Sequence, residues 1–287
     1  VELLRDFGVT ARVTDENGEL VRSEYPLVVA PHEFWGFTGT SHLNRPSFHL
    51  RCWTYQTEQV ESDWFSKSFH HCVAGKGVID VSSSTLPIYR GLVPSTSIVL
   101  PADKKTLSFI GAESSAGVPG YGERRFDVCL FAGASTYRDY VMERISPYFA
   151  GISAHLEYGG PNPTGDWKSE ALRFFELSQS SKIHLSLSRH ASGFFTWDRI
   201  LFGGMAAGAL PVVARARPEG PMVGGQDYLS ISARQIPVAL DFLLRKEEGI
   251  RFAGKVRASG SKAVSQPALR EEMGAKLVNF LAATGGK

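Results

Sequence analysis

Residues 181–215, SKIHLSLSRHASGFFTWDRILFGGMAAGALPVVAR, restrict the possible folds more than any other stretch of this chain. Alternation over residues 183–187 reads as a strand. Trp197, Ile200, Leu201 and Met205 then recur at helical spacing and close on Gly204 or Gly208. Residues 209–214 form a short apolar run bounded by charge, the pattern of a buried strand. Strand, loop, helix and parallel strand make one α/β crossover. The loop 188–198 therefore sits at the carboxyl end of a strand, where open parallel sheets bind ligands. Arg189 and His190 lie in it and Arg199 follows it, so an anionic ligand is expected.

Other segments repeat the alternation of strand and helix, the signature of a mostly parallel sheet. Strands are expected at 9–14, 26–30, 48–55, 77–81, 97–101, 126–132, 152–158 and 228–231. Helices are expected at 1–7, 64–71, 85–90, 137–149, 168–178, 235–252 and 267–282. In the first helix Gly8 is a good terminating residue. Because an α/β half of this kind normally opens with a strand, the N-terminal domain is expected to lack its first one. The stretch 102–125 is rich in glycine and serine and ends in charge, which divides the chain into residues 1–110, a linker 111–125, and residues 126–287. A second ligand surface is expected just past the strand at 26–30, where His32, Glu33, Trp35, Thr38 and His42 crowd together.

Composition removes several function classes. An apolar content of 43% and a charged content of 21% are those of a soluble globular chain. A formal charge of +2 is too small to make nucleic acid or an acidic membrane the main partner. The three cysteines are odd in number and widely spaced, which fits a reducing cytoplasm better than a disulfide framework. No stretch reaches the length of a spanning helix, so no transmembrane segment is expected. His70, His71, Cys72 and Cys52 invite a zinc reading, but adjacent histidines point apart and no second ligand pair exists. No metal is expected, and the absence of G-x-S-x-G argues against a serine hydrolase.

The order of segments resembles glycosyltransferases of the GT-B fold, which have two Rossmann-like domains facing across a cleft, and among them the group 1, CgeB-like bacterial family. YQTEQ, with Thr57-Glu58-Gln59 as its core, is similar to that family's NxEQ segment. VIDVS at 78–82 and VLP at 99–101 resemble the strands that follow it. SKIHLSLSRH resembles KIxLNxH, with His190 at the histidine, and DRILFGGMAAGALPVV resembles the R(I/L)…EAMAcGxxPVV segment, with Arg199 at its arginine.

The resemblance implies an acceptor domain at 1–110, a nucleotide-sugar donor domain at 126–287, and transfer of the sugar to a hydroxyl-type acceptor without a metal or other cofactor. Arg189, His190, Arg199 and Ser188 would hold the donor diphosphate, and arginines and a helix start suit that charge. His32 and Glu33 would be the catalytic residues, and Thr38, Glu58 and Gln59 would line the acceptor side. Glu33 or Glu58 can serve as a general base or position the acceptor. Two departures stand out. Gly203 occupies the place of the glutamate thought to bind the donor ribose, and hydrogen cannot replace a carboxylate acceptor. Ser188 occupies the place of the asparagine in KIxLNxH. The alternatives are a non-catalytic subunit that binds a nucleotide or sugar, and another GT-B enzyme such as a nucleotide-sugar epimerase.

Overall fold

The computed structural model describes residues 1–13, 25–36, 43–99, 120–159, 167–193, 204–215, 222–265 and 267–285. The chain divides into two compact units, Val1–Leu100 with Pro267–Lys287, and Pro101–Gln266.

The first unit is built on four parallel strands, β1 (Leu27–Val29), β2 (Trp53–Gln56), β3 (Gly77–Asp80) and β4 (Ser95–Ser97), paired in that order. Every residue of β2 and β3 is buried, as expected where a parallel sheet is covered on both faces. Among the described residues before position 100, five α-helices accompany them: α1 (Glu2–Asp6), α2 (Pro31–Gly36), α3 (Pro46–His49), α4 (Asp63–Val73) and α5 (Leu86–Tyr89). Helix α1 ends as its sequence suggests. Gly8 takes φ 76°, its N–H bonds the Arg5 carbonyl, and the Val9 N–H bonds Leu4. The strand expected at 9–14 does not form over the described residues 9–13, where Val13 is exposed. The strand expected at 48–55 begins only at Trp53, because Pro46 starts a helical turn that runs to His49. The strand expected at 97–101 is displaced toward the N-terminus, with β4 ending at Ser97 and Ile98 N–H still bonding the Asp80 carbonyl.

The second unit holds five parallel strands, β5 (Phe126–Ala132), β6 (Ala154–Tyr158), β7 (Ser181–Leu187), β8 (Leu210–Ala214) and β9 (Leu229–Ile231), in the order β6-β5-β7-β8-β9. Its helices are α6 (Thr136–Phe149), α7 (Trp167–Gln179), α8 (Ile236–Arg245) and α9 (Glu247–Ser265). Val128, Leu130, Ile183, Leu185 and Val212 of the sheet pack with Ile145, Leu240, Leu243 and Val256 of the helices. The buried stripe of α6 is Val141, Met142, Ile145 and Phe149, while Tyr140 and Tyr148 face solvent. The helix expected at 235–252 is two helices, broken at Lys246, whose backbone is extended. At that corner α9 crosses α8 so closely that a Cβ on Gly249 would lie 1.9 Å from the Phe242 carbonyl oxygen.

Two domain boundaries move. Residues 120–125, assigned to the linker by composition, belong to the packed second unit: buried Arg124 donates to the carbonyls of Ser181 (2.7 Å) and Ala207 (3.5 Å). The last helix, α10 (Pro267–Gly285), packs in the first unit and not with the donor half in which residues 126–287 place it. Trp53 Nε1 donates to Thr284 Oγ1 at 2.7 Å and Lys76 Nζ to the Gly285 carbonyl at 2.9 Å. Arg270 pairs with Asp6 of α1 at 2.6 Å. A helix's own residues carry no mark of which sheet it covers.

Gly249→Ala is expected to destabilise the protein by about 2 kcal/mol or more, since the contact it forces is with backbone. A fall of several degrees in the thermal midpoint checks this.

Candidate functional site

In the second unit the chain passes from β5 to β6 on one side and then to β7 on the other, so the sheet has its topological switch point between β5 and β7. Ligands of open α/β sheets bind at the carboxyl ends of strands flanking such a point. Gly133–Ala134–Ser135 follow β5 there, and Ser188–Arg189–His190 follow β7. The sequence reading thus places Ser188, Arg189 and His190 correctly at a strand end, and the sheet order makes that end the crevice.

The loop 188–193 is held mainly by its carbonyls. Arg138, in the first turn of α6, donates through Nε and Nη2 to Leu187 O (3.1 and 3.0 Å) and through Nη1 to Gly133 O (2.9 Å), joining the ends of β5 and β7. Ser135 Oγ accepts the Arg138 N–H as the cap of α6 and donates to Arg189 O at 2.7 Å. Buried Ser188 donates through Oγ to His190 O at 2.9 Å. The Arg215 guanidinium donates to Ala191 O. In a trans peptide the following N–H lies on the opposite edge of the plane from the carbonyl. With the carbonyls of Leu187, Arg189, His190 and Ala191 engaged by side chains, the amides of Ser188, His190, Ala191 and Ser192 are turned away from those side chains. Such amides, next to exposed Arg189 and half-buried His190, suit an anion.

The second surface lies past β1 and β2. Among the described residues the only non-glycine residues at positive φ are Ala30 (49°) and Arg215 (67°), each directly after the carboxyl end of a strand. Strain of this kind gathers at functional sites. Ala30 N–H continues the ladder to Tyr55 O, and its own carbonyl accepts from Glu33 and Phe34, which starts α2. His32 is buried, and its Nε2 stands 3.6 Å from Glu33 Oε1 and 3.5 Å from Glu58 Oε1. Its ring leans on Trp64, centroids 5.9 Å apart, and Lys67 Nζ lies 4.1 Å over the Trp64 ring. Glu33 is the more exposed carboxylate, 64% against 28% for Glu58. Gln59 accepts the Ser62 N–H through its carbonyl, shaping the turn into α4. The structure therefore gathers His32, Glu33 and Glu58 in one cluster. Thr38, Arg199 and Gly203 lie outside the described residues.

Sequence reasoning missed several contributors. Buried Gln56 accepts the Glu58 N–H at 3.1 Å and donates to Ser68 Oγ at 2.7 Å, which fixes the turn that presents Glu58. Arg138 and Arg215 were also missed, because their role depends on strand order and not on local pattern. Ser135 was findable as a serine cap between a strand and a helix. Asp80 of the VIDVS segment is buried and structural, accepting from Ser82 N–H (2.8 Å) and Tyr89 Oη (3.0 Å). Cys52 and Cys72 are buried thiols with pKa pushed up to about 12 by desolvation, and among the described residues no three His, Cys, Asp or Glu are grouped to hold a metal ion.

No family model matches the sequence, and no curated protein does. Among solved structures the chain is similar to the crystal structure of TarM, a GT-B protein, with a TM-score of 0.52 and 12% identity over 89% of this chain and 54% of TarM. The chain thus spans about half the length of TarM. It is also similar to Anabaena Alr3699/HepE in complex with UDP-glucose, with a TM-score of 0.49 and 12% identity over 79% of this chain and 72% of that one. The fold class is α/β of the GT-B type, as its parallel sheets and the TarM likeness show. Among the described residues no helix is long and apolar enough to cross a membrane.

Ser135→Ala removes a helix cap and the tie to Arg189 together, and is expected to lower stability by about 1–2 kcal/mol in urea unfolding.

Proposed function

We propose that this chain is a glycosyltransferase that moves a sugar from a nucleotide-diphosphate-sugar donor to a hydroxyl-type acceptor. One observation carries the reading: a loop bearing Arg189 and His190, its carbonyls engaged by side chains, lies at the switch point of a parallel sheet. The fold shared with TarM, a glycosyltransferase, supports the class. A diphosphate carries about two to three negative charges, which arginines and oriented amides neutralise. Arg189, His190, Ser188 and Arg199 hold it, Arg138 and Ser135 fix the loop, and Arg215 adds a further cation beside it. These groups stabilise the leaving diphosphate without a metal. No other cofactor is invoked, and the setting is cytoplasmic.

On the acceptor side, Glu33 takes the hydroxyl proton as the nucleophile forms. His32 Nε2 stands close to both carboxylates, while exposed Glu33 remains accessible to an acceptor. Thr38 and Gln59 complete that side. A second reading is favoured by a specific residue: Gly203, in the place of a ribose-binding carboxylate, fits a subunit that binds the ligand without transferring it. Donor hydrolysis or sugar transfer by the purified chain excludes that reading.

Arg189→Ala and Arg199→Ala are each expected to weaken nucleoside-diphosphate binding by about tenfold or more in calorimetry, consistent with a charged hydrogen bond worth about 1.5–3 kcal/mol. Unchanged binding in both would refute the phosphate assignment. Glu33→Gln is expected to lower kcat by about 10²-fold or more while donor affinity stays within about twofold. Equal losses in turnover and affinity would remove Glu33 from the base role.

A further inference from the structure

The first unit contains a buried histidine pair that the proposed chemistry does not use. His49, in α3, and His71, in α4, are both buried, and His49 Nε2 lies 2.9 Å from His71 Nδ1. His49 Nδ1 lies 2.8 Å from the Arg45 carbonyl, which can only accept, so Nδ1 carries the proton and Nε2 offers its lone pair. His71 must then donate through Nδ1. Trp35, in α2, covers both rings in parallel, with centroids 4.2 Å from His71 and 4.9 Å from His49. Phe34 and Phe48 extend the same aromatic group, with Trp35 edge-on to both. Three short elements thus meet at two imidazoles, and one of them is the six-residue helix that carries His32 and Glu33.

We propose that the His49–His71 pair is an acid-sensitive latch, which holds α2 against α3 and α4 while His71 is neutral and releases it when His71 takes up a proton. A proton on His71 would place a cation in a dry aromatic stack. Facing His71 are His70 on its own helix, with ring centroids 3.7 Å apart, and His49 on α3. Both disfavour its charge, and burial disfavours it more, which lowers the His71 pKa to about 4. Trp35 on α2 brings no charge. Among the neighbouring thiols, Cys52 donates to His49 O, and Cys72 lies 3.7 Å from Gln56 Nε2. The sign follows from linkage. A folded-state value below the ordinary 6.5 gives stability that is complete above 6.5 and is lost as pH falls toward 4. The cation is favoured wherever the ring reaches water, which requires separation from Trp35. The effect on turnover rests on the proposed roles of Glu33 and His32. The release of α2 does not.

The test is hydrogen exchange of the full chain between pH 7 and pH 5, corrected for intrinsic rates. With His71 at about 4 when packed and 6.5 when exposed, opening of α2 is expected to rise about 20-fold over that interval. The amides read are those of Glu33 and Phe34, which bond the Ala30 carbonyl. Amides of β5 and β7 serve as the reference and are expected to stay constant relative to them. His71→Phe keeps the aromatic stack and His71→Gln keeps an N–H donor toward His49, and neither titrates. Whichever of the two folds is expected to show pH-independent α2 protection. Constant α2 protection in the unsubstituted chain, or an equal loss in the non-titrating variants, would overturn the latch. Neither result depends on whether the chain transfers sugar.

Discussion

The pairing of β5 with β7 is the constraint on which the second unit depends. Parallel strands have to be joined by crossovers, and sending β6 to one side of β5 and β7 to the other leaves a crevice that no crossover covers. Everything assigned to the donor side follows from that crevice. Arg138 can reach Leu187 and Gly133 together only because those residues end neighbouring strands. Arg215 reaches Ala191 because β8 lies beside β7. Among the described residues the first unit shows no such reversal, and its candidate site is made differently, by strained Ala30 turning the chain from β1 directly into a short helix.

The two sites differ in what holds them. The loop 188–193 is fixed by hydrogen bonds from side chains to carbonyls, directional contacts that leave the opposite edge of the backbone available to a ligand. Helix α2 is fixed by ring stacking and by a pair of imidazoles, contacts with less directionality and a sensitivity to protons. A site that must grip a charged group of fixed geometry is well served by the first arrangement.

Legibility in the sequence followed the range of the interactions. Strand β7 and the loop after it were readable because alternation and charge are local, and the same holds for Gly8 as a helix terminator. His32, Glu33 and Glu58 were readable as residues past strand ends, yet their gathering around one imidazole nitrogen was not, since it depends on β1 lying beside β2. Arg138 looked like an ordinary helix residue. The expectation of one continuous helix over 235–252 fails because amphipathic spacing does not reveal a corner, which the extended backbone of Lys246 and the approach of Gly249 to the Phe242 carbonyl mark. The strand misplaced at 48–55 shows the opposite error, where alternation persisted through a turn that Pro46 had already bent.

Helix α10 gives the chain an unusual order of assembly. The strands of the first unit are made within the first 97 residues, but the indole N–H of Trp53 and the ammonium of Lys76 find hydrogen-bond partners at residues 284 and 285. Closing a loop of that length adds little entropy beyond what a shorter one would require, so the penalty is one of timing more than stability. During synthesis the second unit can finish folding while the first still shows an open sheet face. Until residues 284 and 285 are made, the indole N–H of Trp53 and the ammonium of Lys76 lack these two hydrogen-bond partners.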